Sequence, residues 1–139
     1  MTQIHVILAE DHAEMAQHLR TLLDPSYHVE VVADGETLIA AANRSVPDVI
    51  ISDIAMPGMS GLTAAGHILK AHPQVRIIFS TVLAEPTIIR RALAEGACGY
   101  VMKSDAGDEL ADAVDTVLRG GKYVSSSART MLANRPQND

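Results

Sequence analysis

A chain of 139 residues has room for one domain that buries its own core. With 47% hydrophobic and 20% charged residues it reads as a folded globular protein, and its net charge of −6 argues against a general nucleic-acid binder, which needs a basic face. Aromatics are few (one Phe, three Tyr, no Trp), so the core falls to Ile, Val, Leu, Ala and Met.

The single cysteine, Cys98, allows no internal disulfide and fits a reducing compartment, where it reads as a small buried hydrophobe. The start, "MTQIHVILAED", has no basic leader before its acids. No run approaches the roughly 18 to 20 apolar residues of a membrane span. The expected location is the cytoplasm, with no membrane partner.

In chain order, "IHVILA" at 4–9 predicts a first strand. Met15, Leu19, Leu22 and Leu23 then mark one face of a helix near 13–23. "VEVVA" at 29–33 is a second strand, and Leu38, Ile39, Ala41 and Ala42 belong to a short helix at about 35–43. "VIIS" at 49–52 is the third strand. Leu62, Ala65, Ile68 and Leu69 follow on a helix near 61–71, which Pro73 ends. "RIIFS" at 76–80 is the fourth strand; the next helix carries Ile88, Ile89, Ala92 and Leu93, with Pro86 in its first turn and Gly96 past its end. "GYVM" at 99–102 is the fifth, before a helix with Leu110, Val114, Val117 and Leu118 that Gly120 and Gly121 close.

All strands but the second are nearly continuous apolar runs, as parallel strands covered on both faces require. Five βα units imply an α/β fold: a single doubly wound parallel sheet with right-handed crossovers. The last stretch, "KYVSSSARTMLANRPQND", reads as a linker-like segment over 121–139, with a short helix near 126–134 and then a polar tail. Residues 1–120 form the domain proper.

In such sheets functional groups gather at the carboxyl ends of the strands. Strand 1 ends in Glu10 and Asp11, and strand 3 in Asp53. Three carboxylates meeting at one edge repel one another unless a cation neutralises them. Oxygen ligands without Cys or clustered His point to Mg²⁺ rather than zinc. His5 and His28, on or beside strands, have no ligand spacing. Strand 4 brings Ser80 and Thr81 to the same rim, and strand 5 brings Lys103. A structural ion pair with Asp11 or Asp53 is one account of Lys103. Carboxylate, divalent cation, hydroxyl and ammonium together are what phosphoryl transfer needs.

With these residues placed, the chain resembles the receiver domains of two-component response regulators, of the NarL/LuxR type. The resemblance rests on Glu10-Asp11-His12, Asp53, "MPGMSGL" at 56–62, Thr81 and "GYVMK" at 99–103, and runs from about residue 3 to 120. It implies a five-stranded flavodoxin-like sheet in the order 2-1-3-4-5. It also implies that Asp53 is the phosphoacceptor, supplied by a sensor histidine kinase. Asp11, Asp53 and the backbone carbonyl of Ala55 would hold Mg²⁺, with Glu10 acting through a metal-bound water or adjusting the charge. Lys103 would pair with phosphoryl oxygens, Thr81 would hydrogen-bond the aspartyl phosphate, and Tyr100 would turn inward as Thr81 is recruited. The face formed by helix 4, strand 5 and helix 5 would then change shape.

Receivers of this kind dimerise through helix 1 with helix 5, or through that switching face. Arg90, Arg91 and Asp112 are surface charges there, for which a solvated face is the simpler account. The resemblance further implies a downstream helix-turn-helix domain as the route to DNA, and nothing in this chain after residue 120 reads as a recognition helix. Two organisations stay open: the N-terminal part of a transcriptional regulator, or a stand-alone receiver acting by protein contacts or in a phosphorelay. A degenerate receiver that keeps the fold but signals by contacts alone is disfavoured, because all five site positions carry competent residues.

Two enzyme readings fit less well. Aspartyl-nucleophile phosphatases carry a second acid two residues after the first, where Ala55 stands. A flavodoxin needs a Ser/Thr/Gly-rich phosphate loop in place of the acidic "AEDHAEM". Ser104 follows Lys103 where many receivers have a cis-joined proline, so either isomer of that bond is open.

Ala55 and Leu83, two residues beyond Asp53 and Thr81, have no side-chain group that could orient an attacking water. A variant carrying Ala55→Asn and Leu83→Glu is therefore expected to lose its phosphoryl group faster than the wild type. Radiolabel loss checks this, and equal or slower decay of the variant would contradict it.

Overall fold

The computed structural model describes residues 3–134. The polar tail expected at the end of the chain falls largely at 135–139, outside the described residues. Strands β1 (His5–Ala9), β3 (Val49–Ser52), β4 (Arg76–Thr81) and β5 (Gly99–Met102) are almost wholly buried. β2 (His28–Val32) is an edge strand, half exposed along its length, which explains why its sequence alternates while the others run apolar.

The helices are α1 (Ala13–Thr21), α2 (Gly35–Arg44), α3 (Gly61–Ala71), α4 (Pro86–Ala94) and α5 (Ala106–Leu118). Local chemistry sets their ends. The Asp34 side chain accepts the Thr37 N–H at the start of α2, the Ser60 hydroxyl accepts the Leu62 N–H at the start of α3, and Pro86 opens α4. α1 stops two residues short of the expected 23. There the chain tightens into three-residue bonds, from Leu22 N to Leu19 O and from Leu23 N to Arg20 O, just before Pro25.

The sheet has the strand order β2-β1-β3-β4-β5 foreseen from the sequence, every pair parallel, and adds a sixth strand, β6 (Tyr123–Val124), beside β5. Two residues followed by three serines carry no strand pattern. β6 exists because Tyr123 N reaches Cys98 O at 3.0 Å and Ser125 N reaches Tyr100 O at 2.9 Å. A last helix, α6 (Ser126–Ala133), matches the short helix expected near 126–134 and returns onto the domain.

The sheet divides the core in two. Ile7, Ile50, Ile77, Phe79 and Tyr100 pack with α2, α3, α4 and Ala128 of α6 on one face. Val6, Leu8, Ile51, Ile78 and Val101 pack with α1 and α5 on the other. Among the described residues no helix is long and apolar enough to cross a membrane.

Register decides where the strands deliver their last residues. Ala9 pairs with Ser52, so Glu10 and Asp53 leave the sheet side by side, and Thr81 pairs with Met102 beside Lys103. Behind Asp53 the chain turns through Gly58, whose φ of 74° suits glycine, and Gly61 returns against the strand end. The Gly61 N–H donates to Ile54 O at 2.8 Å, and a Cβ there would lie 2.0 Å from the backbone oxygen of Asp53. Gly61→Ala is accordingly expected to cost about 3 kcal/mol of stability through overpacking against main chain. Urea unfolding measures this; an unchanged midpoint would show that the loop relaxes freely.

Candidate functional site

The strand ends assemble one compact ionic site. Lys103 Nζ donates to Asp53 Oδ2 at 2.8 Å and lies 2.6 Å from Glu10 Oε1, an ionic contact not aligned as a hydrogen bond. All three side chains are nine-tenths or more buried. Burial alone would lower the lysine pKa, but the hydrogen bond to Asp53 and the close negative charges of Asp53 and Glu10 outweigh it and hold the ammonium above its ordinary value.

The other carboxylate oxygens are held locally. Asp53 Oδ1 accepts the N–H of Ile54 at 2.7 Å and that of Ala55 at 3.3 Å. Glu10 Oε2 accepts the His12 N–H at 3.0 Å, and the His12 ring nitrogen Nδ1 stands 3.2 Å away. Asp11 Oδ1 is buried and makes no hydrogen bond, the His12 ring nitrogen Nδ1 standing 3.4 Å from it. Glu10, Asp11 and His12 present ligand atoms within 4.8 Å of one another. A buried, unpartnered carboxylate oxygen among like charges, in an oxygen-rich donor set, fits a hard divalent cation.

Of the residues expected at the site, Glu10, Asp53 and Lys103 are in direct contact and Asp11 lies on the same rim. Ala55 is exposed, two residues past Asp53. Thr81 is fully buried and bonds neither Asp53 nor Lys103; its Oγ1 accepts the Leu83 N–H at 3.3 Å. Tyr100 is turned inward with 0% exposure, and its hydroxyl donates to Leu83 O at 2.7 Å. Burial, aided by the charges of Glu85 and Asp53, raises the Tyr100 pKa far above the usual tyrosine value. One peptide loop, at Leu83, is therefore gripped by both Thr81 and Tyr100.

No peptide bond among the described residues is cis, so the Lys103–Ser104 bond is trans. Arg91 pairs with Glu95 on its own helix at 2.8 Å, an exposed pair of small energetic weight, while Arg90 and Asp112 face solvent. The His5 and His28 rings lie 5.1 Å apart at the opposite end of the strands from Asp53.

Sequence reasoning missed a second polar cluster next to Lys103. Lys103–Asp105 form a single 3₁₀ turn, and Asp105 Oδ2 accepts the Ser125 hydroxyl at 2.6 Å and the Ser127 N–H at 3.0 Å. Asp105 Oδ1 accepts the Ser127 hydroxyl at 2.9 Å. Burial would raise the Asp105 pKa, but these bonds outweigh it and hold the carboxyl below its ordinary value. Nearby, Glu109 accepts the Tyr123 hydroxyl at 2.8 Å, which with burial pushes the phenol up to about 12. The only signal in the sequence was "SSS", which reads equally well as linker.

Crowded like charges leave a measurable signature. With one ammonium facing three carboxylates, Asp11→Asn is expected to raise metal-free stability by about 1 kcal/mol. The same substitution should weaken divalent-cation binding. Thermal unfolding in chelator and in Mg²⁺ separates the two effects, and a fall in metal-free stability would contradict the charge argument.

Comparison with known proteins bears on the same residues. A family model described as the response regulator receiver domain matches residues 6–115. The oxygen regulatory protein NreC of Staphylococcus carnosus is 33% identical over 138 residues, covering 96% of this chain and 64% of NreC. A crystal structure of a LuxR-family two-component response regulator from Aurantimonas sp. SI85-9A1 superposes with a TM-score of 0.89 at 27% identity, over 95% of this chain and 96% of that one. RcsB from Salmonella enterica serovar Typhimurium, solved bound to promoter P1flhDC with the phosphomimetic BeF3−, gives 0.82 at 28% identity, over 95% of this chain and 67% of that one. The chain thus spans just under two thirds of the length of NreC.

Proposed function

Because the chain belongs to the response regulator receiver domain family, with NarL/LuxR-type relatives, we propose that Asp53 is its phosphoacceptor, loaded by a sensor histidine kinase. The observation that carries this reading is the buried Lys103 ammonium bonded to Asp53 in a site with a net excess of carboxylate.

A carboxylate oxygen of Asp53 attacks the phosphorus of a phosphohistidine. The new O–P bond forms as the P–N bond breaks, and its electron pair stays on the departing imidazole. Lys103 is already at the Asp53 oxygen and is positioned to follow the arriving phosphoryl oxygens, keeping the added charge of about −1.5 to −2 paired. Asp11, Asp53 and the Ala55 carbonyl would hold Mg²⁺, with Glu10 through a water; when bound, the cation neutralises phosphoryl oxygens. Glu10 meanwhile anchors Lys103 and His12.

Thr81 has its hydroxyl on the Leu83 N–H and would release it to bond the aspartyl phosphate. Tyr100, bonded to the carbonyl of the same residue, registers that shift, so the face of α4, β5 and α5 changes packing. The Leu83 loop is the hinge of this exchange.

For the chain as a whole we place this domain at the front of a longer transcriptional regulator whose further part binds DNA. The promoter-bound RcsB chain, of which this chain matches 67%, supports that reading. Sequencing the reading frame past codon 139 tests it; a stop codon there would favour a stand-alone receiver instead.

The phosphoacceptor reading predicts Mg²⁺-dependent binding of beryllofluoride to the wild type and none to Asp53→Ala. Phosphotransfer from a panel of the host's histidine kinases should likewise be lost in Asp53→Ala. Equal labelling of the variant would place the phosphoryl group elsewhere.

A further inference from the structure

We propose that Asp105 is a positioning residue for Lys103, and that the docking of α6 on Asp105 couples the phosphoryl pocket to the C-terminal segment. The inference rests on the reading of Asp53 as phosphoacceptor and adds a regulator of that site.

Two side chains at helix starts, neither bonded to its own helix, carry it. Asp105 closes the 3₁₀ turn in helical conformation immediately before α5, and its side chain bonds no N–H of that helix. Ser125 sits at the N-cap of α6 and likewise leaves its own helix uncapped. The two side chains bond each other instead, at 2.6 Å. The first N–H groups of α6 are then satisfied from outside the helix: Ser127 N by Asp105, and Ser126 N by Glu109 at 3.1 and 3.2 Å. Two acids at the positive end of α6 also favour its dipole. α6 has only eight residues, too few to persist alone in water. Its helicity therefore depends on this clamp and on seating Ala128 in the core.

The clamp brackets Lys103. On one side Ser125 Oγ accepts the Met102 N–H at 3.0 Å; on the other the Asp105 carboxylate is fixed by Ser125 and Ser127. A single 3₁₀ turn joins the residue whose ammonium bonds Asp53 to the residue whose carboxylate bonds α6. Ser125 N also holds Tyr100 O, and Ala128 shares a buried cluster with Tyr100 and α4. Seated α6 therefore holds Lys103 poised and covers the face on which Tyr100 lies. Because linkage is reciprocal, a phosphoryl group held by Lys103 must in turn favour the seated helix.

The test compares wild type, Asp105→Asn, Asp105→Ala and the milder Ser127→Ala as the full chain. Hydrogen exchange over 126–133 reads α6, and titration with beryllofluoride at fixed Mg²⁺ reads the pocket. In the wild type, beryllofluoride is expected to increase protection of α6. In the Asp105 variants α6 should lose protection and beryllofluoride binding should weaken by about fivefold or more, the lower end of usual allosteric coupling. A merely structural role would lower the melting temperature and leave that affinity unchanged. Should the Asp105 variants fail to fold, Ser127→Ala carries the same comparison with smaller shifts. Release of α6 with affinity unchanged within about twofold would overturn the proposal, as would α6 protection indifferent to beryllofluoride. Binding that is equal in wild type and Asp53→Ala would overturn the phosphoacceptor reading itself, and the coupling with it.

Discussion

One lysine among three acids is the constraint on which the rest of this molecule depends. Parallel pairing of β1 with β3 delivers Glu10 and Asp53 to the same edge, with Asp11 beside them. Opposed by a single buried ammonium, the acids leave an excess of negative charge that the protein itself does not neutralise. Such an arrangement costs stability unless a further cation neutralises it. The Asp53 carboxylate, bonded to Lys103 and to two backbone N–H groups, is also fixed in orientation.

The architecture around the site keeps it small. Gly61 presses so closely on the backbone of Asp53 that no side chain fits between them, and the turn through Gly58 carries the intervening loop clear of the rim. On the far side, Thr81 and Tyr100 are tied to the two halves of one peptide loop, the N–H and the C=O of Leu83. A hydroxyl that leaves the N–H perturbs the carbonyl in the same loop. In the proposed exchange the two side chains would be linked by this shared loop rather than by direct contact.

Most of this was legible in the sequence because it depends on residue type at strand ends. Apolar runs located the strands, acids and a lysine immediately after them located the site, and the order of five strands followed from the resemblance. Three features were not legible, each for a physical reason. β6 is held by backbone pairing to β5, which leaves no side-chain pattern in a two-residue strand. The role of His12 comes from its backbone N–H and ring reaching back to Glu10, a contact set by the turn rather than by composition. The Asp105–Ser125–Ser127 cluster joins residues some twenty positions apart through side chains that bond across two helix starts. Cap preference read locally points the wrong way at Ser125.

That last feature also explains why a polar, linker-like stretch folds at all. A segment with few apolar residues cannot order itself by burial alone. Here Ala128, Met131 and Leu132 supply a narrow apolar stripe, and the receiver's acids supply the missing helix cap. Stability drawn from outside the helix makes its ordering conditional on the state of the surface that lends it. A longer, self-capped helix would stay folded whatever happened at Asp53. A short helix whose first N–H groups are bonded one 3₁₀ turn from Lys103 stays ordered only while that surface holds it.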